Sequence, residues 1–341
     1  MSPSEARESP VEAEGAGALG GRFGAIRGRL DIGALAPIIF FVCLIAGFGA
    51  AEPDIFLTVA NLTTILNDGA VLAILACGLT VVLVVGEFDL SIAAAASFGG
   101  ALAAVLVTQG HWPLLPVILA VLATGIVIGV LNGILVTRFD IPALIATIGT
   151  ASLLVGLTLW ITDNSVIFTG FSDSFLLSGG WTLGGIQAPV FYLAVIALVL
   201  GVALRYTATG RHMYATGGNR AASRMSGIRV RRQIMLAFII SGVLGALAGF
   251  VYTARQGSLT PEFGAPFLLP TFAAAFLGSV TLTRRTFHIL GTMIGVYLIE
   301  TGTVGLLIFG APAYTQQLFA GAVLILASIG ARYRGRGTAA R

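Results

Sequence analysis

Apolar runs of roughly 20 residues recur along the whole chain, and that length carries a helix across the hydrocarbon core of a bilayer. Ten stretches fit: 34–51, 62–85, 92–108, 113–136, 142–162, 189–206, 234–254, 267–282, 287–308 and 315–331. A membrane β-barrel would show short strands of alternating polarity instead, and none is seen. The pattern predicts an all-α membrane protein, a polytopic bundle of about ten transmembrane helices. Residues 1–33 are polar and rich in Gly and Ala, with acids first and bases after, and read as a disordered tail. The long apolar run behind that tail argues against a cleavable signal. Residues 34–331 form the transmembrane domain, and 332–341 a short basic tail.

Composition supports this reading. The chain has 341 residues, is 57% hydrophobic and 10% charged, and has a mean hydropathy of +0.96. A soluble domain carries about 25% charged residues. The 45 glycines suit close packing of helices through small side chains. Cys43 and Cys77 both fall in apolar runs and read as small buried hydrophobes. His111, His212 and His288 are scattered without ligand spacing, so no metal site is expected.

Charge then orients the bundle. All 19 basic residues are arginine, and with the N-terminus in the cytoplasm 18 of them fall in inside segments. Arg255 is the exception, and the outside segments carry Glu52, Asp54, Asp163, Asp173 and Glu262. Gaining or losing one span would destroy this bias downstream, so both termini are expected in the cytoplasm. Because the arginines lie between spans, a pI near 9.4 reads as topology rather than as a nucleic-acid surface.

Polar groups near hydrocarbon come next. The second span ends in Gly86-Glu87-Phe88-Asp89-Leu90-Ser91. A charge at a helix centre costs roughly 2.5–3.5 kcal/mol on insertion scales. Two readings fit: Asp89 or Ser91 caps the next helix in a turn, or Glu87, Asp89 and Ser91 gate a path. Asn67 and Asp68, early in the second span, read as interfacial. Glu300 lies in mid-span and is a functional candidate by position, facing the bundle interior. With Thr301, Thr303, Thr147 and Thr150 it would line a thinly polar path suited to a neutral, hydroxyl-rich solute. Each threonine is equally explained by a bond to its own helix backbone. The outside segment 163–188, with Phe168, Phe171, Phe175 and Trp181, reads as a structured loop or interfacial helix. It serves either as a lid over helix ends or as a dock for an external partner.

The longest internal polar stretch, 207–233, holds six arginines and no acid. Gly217 and Gly218 read as punctuation, Asn219 as an N-cap, 220–226 as a short helix and Gly227 as the residue that stops it. A plain positive loop touching anionic lipid has no need of this order, so a docking helix is the favoured reading. No GxxxxGK[ST] loop is present, so this chain is not expected to hold ATP by that device, and no HExxH, GxSxG or cysteine cluster points to catalysis.

At this loop a resemblance becomes specific. GRHMYATGGNRAASRMSGI, from Gly210, resembles the cytoplasmic loop of permease subunits of bacterial monosaccharide ABC importers, within the branched-chain amino acid/monosaccharide permease family. GEFDLS is similar to that family's Gly-x-x-Asp-Leu-Ser signature, with Glu87 where sugar members often have a small residue. FLGSV and GTMIGVYLIETGTVGLL are similar too, and the resemblance runs from about Phe56 to Ile329. Glu300-Thr301 falls where sugar members often carry paired Asn, a departure that bears on the solute.

The resemblance implies ten helices per chain in the bacterial cytoplasmic (inner) membrane. It implies a second permease copy or paralogue, a cytoplasmic ABC ATPase carrying ATP-Mg, and an extracytoplasmic solute-binding protein. The coupling loop would use Gly210, Arg211, Gly217, Asn219, Arg220, Ala222, Arg224 and Gly227. The expected solute is a monosaccharide. The rivals are nucleosides, amino acids or another small polar solute on the same machine, and a stand-alone secondary transporter for which Glu300 is the one good coupling acid. A multi-span enzyme would need clustered polar residues at one interface, which the sequence lacks.

Overall fold

The computed structural model describes residues 32–281, 286–312 and 314–336. Residues 1–31 of the tail expected over 1–33, residues 337–341 of the basic tail expected over 332–341, and Arg284 and Arg285 lie outside these, while 32–33 and 332–336 are helical. The described residues form fourteen α-helices and one two-stranded hairpin. In order these are α1 (Ile32–Ala51), α2 (Pro53–Phe56), α3 (Val59–Val84), α4 (Ile92–Thr108), α5 (Leu114–Thr137), α6 (Ala143–Ile161) and α7 (Asp173–Gly180). The hairpin β1 (Thr182–Leu183) and β2 (Ile186–Gln187) follows. Then come α8 (Ala188–Tyr206), α9 (Ala208–Gly218), α10 (Arg220–Met225), α11 (Val230–Gln256), α12 (Leu268–Val280), α13 (Ile289–Ile308) and α14 (Tyr314–Arg336).

Each of the ten apolar stretches falls on its own helix. By length and composition α3, α5, α6, α8, α11 and α13 are able to cross a membrane, while α1, α4, α12 and α14 carry shorter apolar segments. The chain is a multi-pass, all-α membrane protein. The short α12 follows a 3-10 turn at Ala265–Phe267 and packs on α3, α13 and α14. Irregular backbone before it is tied into protein: Leu259 bridges Ile167, and the Gly264 N–H donates to Ser97 Oγ at 2.9 Å.

The core is built round α3 and α11. From Gly69 to Val84 every residue of α3 is buried, with Ala70, Ala73, Ala76, Cys77 and Gly78 giving a small-residue surface. Helix association in lipid gains little from hydrophobicity and depends on close packing, so small residues mark the contacts. Thus α11 packs tightly on α5 and α4. A Cβ on Gly125 would lie 2.6 Å from Val243 Cα, and one on Gly99 would lie 2.6 Å from Ala246 Cα. By contrast α5, α6 and α8 turn Leu115, Val127, Leu153, Trp160, Leu198 and Val199 outward, an apolar surface whose natural solvent is lipid.

Candidate functional site

The basic loop contains two helices where the sequence predicts one. Thr207 caps α9, its Oγ1 accepting the Gly210 N–H at 3.1 Å, and the helix runs on through Gly217 and Gly218. These glycines are the last two residues of α9, so the break the sequence puts here falls between two helices rather than ahead of one. A Cβ on Gly217 would collide with the Val84 carbonyl at the end of α3, and one on Gly210 with the Ala203 and Leu204 carbonyls, so both are places where α9 lies against the bundle. The second helix is where the sequence puts it. Asn219 Oδ1 accepts the Ala222 N–H at 3.0 Å, α10 follows, and Gly227 leaves it with φ +78°. That left-handed angle suits glycine because it has no Cβ. Ala222, Arg224 and Met225 are exposed on α10, and Arg211 is exposed on α9, where its Nη1 donates to the Tyr206 carbonyl at 3.2 Å.

The 86–91 turn is tied to this loop and to the bundle at once. Arg220 Nη2 lies 2.5 Å from Glu87 Oε1 and also donates to the Gly86 carbonyl at 3.3 Å. Burial raises the Glu87 pKa above the ordinary carboxylate value, and Arg220 pulls it back. Asp89 is 1% exposed. Its Oδ1 accepts the Ser91 N–H at 2.9 Å and the Ser91 hydroxyl at 2.6 Å, and its Oδ2 accepts the Ser241 hydroxyl of α11 at 2.6 Å. Asn132 of α5 donates to Ser91 Oγ at 2.8 Å, and the Leu90 N–H donates to Thr147 Oγ1 of α6 at 3.2 Å. Ser91 holds the N-cap position of α4, but its side chain makes no cap bond; the carboxylate of Asp89 serves the turn from two residues upstream. Thr150 donates to its own helix at Ala146, 3.1 Å away.

A second polar centre lies at the other end of α3. Asp68 is 16 residues before Val84, about 24 Å along a helix. Arg255, at the end of α11, forms an ion pair with Asp68, donates to Gln187 Oε1, and reaches the Asn67 carbonyl at 3.2 Å. Asn67 binds the hairpin on both sides: its amide donates to the Gly185 carbonyl at 3.0 Å, and its oxygen accepts the Gln187 N–H at 2.8 Å. The 163–188 segment is thus a helix and a hairpin folded against the bundle, with Phe175 buried edge-on to Phe250 at 5.3 Å. Beside Arg255 opens a cavity of about 660 Å³ lined by Asp68, Arg255, Gln256, Glu300, Thr303, Gln316 and Gln317, with Tyr252 and Phe267 as aromatic wall.

This cavity divides the residues expected to form one path. Glu300 and Thr303 line it. Thr301 is buried on α13 away from it, and Thr147 and Thr150 sit on α6, which packs on α4 and α5. Glu87, Asp89 and Ser91 belong to the opposite end. The sequence reading missed the ion pair and the glutamines. The visible signal was Arg255 itself, the one arginine that violates the charge bias.

Carboxylates, amides and a guanidinium facing aromatic rings can bind a small polyhydroxylated solute, its hydroxyls on the polar groups and its C–H face on the rings. A multi-pass bundle with such a cavity towards one end and a capped basic helix at the other fits a membrane permease. The chain belongs to the family described as branched-chain amino acid transport system / permease component, whose model matches residues 61–328. It is similar to the ribose import permease protein RbsC of Haemophilus influenzae, 34% identical over 300 residues, covering 87% of this chain and 92% of that protein. RbsC of Escherichia coli K12 is 34% identical, covering 85% of this chain and 91% of its own length. The D-allose transport system permease protein AlsC of the same strain is 33% identical, covering 84% and 89%. No solved structure matches the chain.

Proposed function

We propose that this chain is the transmembrane permease subunit of an ATP-driven monosaccharide importer in a bacterial cytoplasmic membrane. It crosses ten times, with both termini and the α9–α10 loop in the cytoplasm. The observation that carries the reading is the similarity to ribose import permeases across nine-tenths of their length. The 660 Å³ cavity near the hairpin is then the outward-facing solute site, with Asp68, Arg255 and Glu300 as its polar contacts. The solute-binding protein docks over the 163–188 segment, and a second permease copy or paralogue completes the path.

The ABC ATPase, which holds ATP-Mg, grips α10 through Arg224, Met225 and Ala222. Its movement reaches the bundle through Arg220 and Glu87, because the turn that carries Glu87 is bonded to α5, α6 and α11 through Asp89, Ser91 and Thr147. Gly210 and Gly217 seat α9, Arg211 braces it, and Asn219 and Gly227 bound α10. Thr150 and Thr301 stay in the packed core.

The test is uptake by proteoliposomes holding the permease with the ABC ATPase and binding protein of the same organism that co-purify with it. Labelled ribose, allose and arabinose should be screened against a nucleoside and a branched-chain amino acid. ATP-dependent accumulation of a sugar alone supports the proposal. Accumulation of the amino acid or nucleoside in preference to every sugar overturns the substrate class.

A further inference from the structure

A cleft of about 740 Å³ opens between the last turns of α8, the start of α9 and the first turn of α13. It is separate from both polar centres described above. Its wall is mostly apolar, with Leu198, Val202 and Leu290 beside Tyr214, Thr286 and His288, and its rim carries Arg205 and Arg211. No acid lines it. Neither arginine forms an ion pair among the described residues. Arg205 lies over the Tyr206 ring at 5.4 Å, and Arg211 gives a single bond to the Tyr206 carbonyl. A guanidinium carries five N–H donors, so most of this donor capacity faces outward unused.

The wall continues onto the outer face of α8, where Leu198 is 67% and Val199 57% exposed. A ligand filling this cleft therefore needs an anionic group at the level of the arginines and an apolar tail below it. We propose that the cleft binds one anionic phospholipid, its phosphodiester between Arg205 and Arg211 and an acyl chain along Leu198, Val202 and Leu290. Basic pockets between membrane helices on the cytoplasmic side hold anionic head groups in this way. The inference rests on the proposed orientation, which places this end of α8 at the inner leaflet. There the lipid would support α9, the helix that seats the coupling loop.

The test uses the full-length chain in mild detergent and native mass spectrometry, with phosphatidylglycerol, phosphatidylethanolamine and glycerol 3-phosphate as probes. Phosphatidylglycerol should be retained well above the other two. Each arginine near an anionic surface is worth about a fivefold change in binding, so Arg205→Ala with Arg211→Ala should lower retention roughly twentyfold. Gly201 lines the same cleft, and a Cβ there meets nothing within 4 Å, so Gly201→Leu puts a side chain into the acyl slot from a position with room for its first carbon. It should lower retention while both arginines remain. Arg138→Ala, at the far end of α5, should not.

Equal retention of phosphatidylethanolamine overturns the proposal, as does an unchanged adduct in Gly201→Leu or an equal loss in Arg138→Ala. Retention of glycerol 3-phosphate as strong as that of the lipid would make the cleft a free-anion site and overturns it too. The side of the membrane is read separately, by an impermeant thiol reagent on Met225→Cys in a Cys43→Ala background. Failure of lipid retention and failure of the orientation are thereby distinguished.

Discussion

Removing the Arg220 side chain probes the link between the loop and the bundle. Arg220 makes two bonds, to Glu87 at 2.5 Å and to the Gly86 carbonyl at 3.3 Å, and its side chain is 43% exposed against 10% for Glu87. A hydrogen bond to a charged group contributes about 1.5–3 kcal/mol, and exposed pairs give about 0–1. Half-exposure of the arginine therefore puts Arg220→Ala at about 1–2 kcal/mol of lost stability. Glu87→Gln keeps the bond to Gly86 and an acceptor for the guanidinium, and should cost under about 1 kcal/mol.

The pH dependence follows from burial. Glu87 has a folded pKa raised mainly by desolvation, with Arg220 opposing the rise. Its protonated form is thus the better accommodated one: that contribution is fully present below the unfolded pKa and is lost as pH rises through the folded pKa. Without Arg220 the desolvation is unopposed and the folded pKa climbs further. The deficit of Arg220→Ala relative to the parent should be small near about pH 4 and full near about pH 7.5. Thermal melts of the purified chain at the two pH values, in a double-mutant cycle with Glu87→Gln, measure it. A coupling of about 1 kcal/mol at the higher pH is expected; additivity within about 0.3–0.5 kcal/mol, or a deficit that does not change with pH, refutes the reasoning. In the assembled transporter Arg220→Ala should also lower solute-stimulated ATP hydrolysis.

Other outcomes follow from the same geometry. Asp89→Ala strips the acceptor from Ser91 and Ser241 and should lower stability by about 1–3 kcal/mol, with Asp89→Asn losing less, by the same melts. Gly125→Leu forces a side chain against Val243 and should cost about 1–3 kcal/mol or prevent folding, seen as a lower melting temperature or loss of the monodisperse species. Arg255→Gln leaves Asp68 without its partner and should abolish most sugar uptake while the chain still inserts, as measured by vesicle transport and membrane yield. Glu300→Gln should reduce uptake modestly, and uptake in both forms should be indifferent to an imposed proton gradient.

The sequence made the helices legible because apolar length and arginine bias are one-dimensional signals. It also placed α10, since a cap, a short run and a glycine stop are read within nine residues. What it hid were pairings across the chain. Glu87 and Arg220 are 133 residues apart, and Asp68 and Arg255 are 187 apart, so no spacing rule joins them. The second loop helix was hidden for another reason. Gly217-Gly218 is a local breaker signal and does close α9, but the helix before it is short and polar, and Gly217 is needed where α9 passes the Val84 carbonyl, a contact no local pattern reveals. The threonines were open to two readings, and the structure shows the second: Thr147 and Thr150 both donate to their own helix backbone, at Ala143 and Ala146.

The most direct measurement is solute accumulation by the permease reconstituted with and without its ATPase. The account predicts that liposomes holding this chain alone never concentrate sugar above the outside level, whatever ion gradient is imposed. Adding the ATPase, the binding protein and ATP should then start accumulation. Sustained uphill uptake by this chain alone would contradict the account.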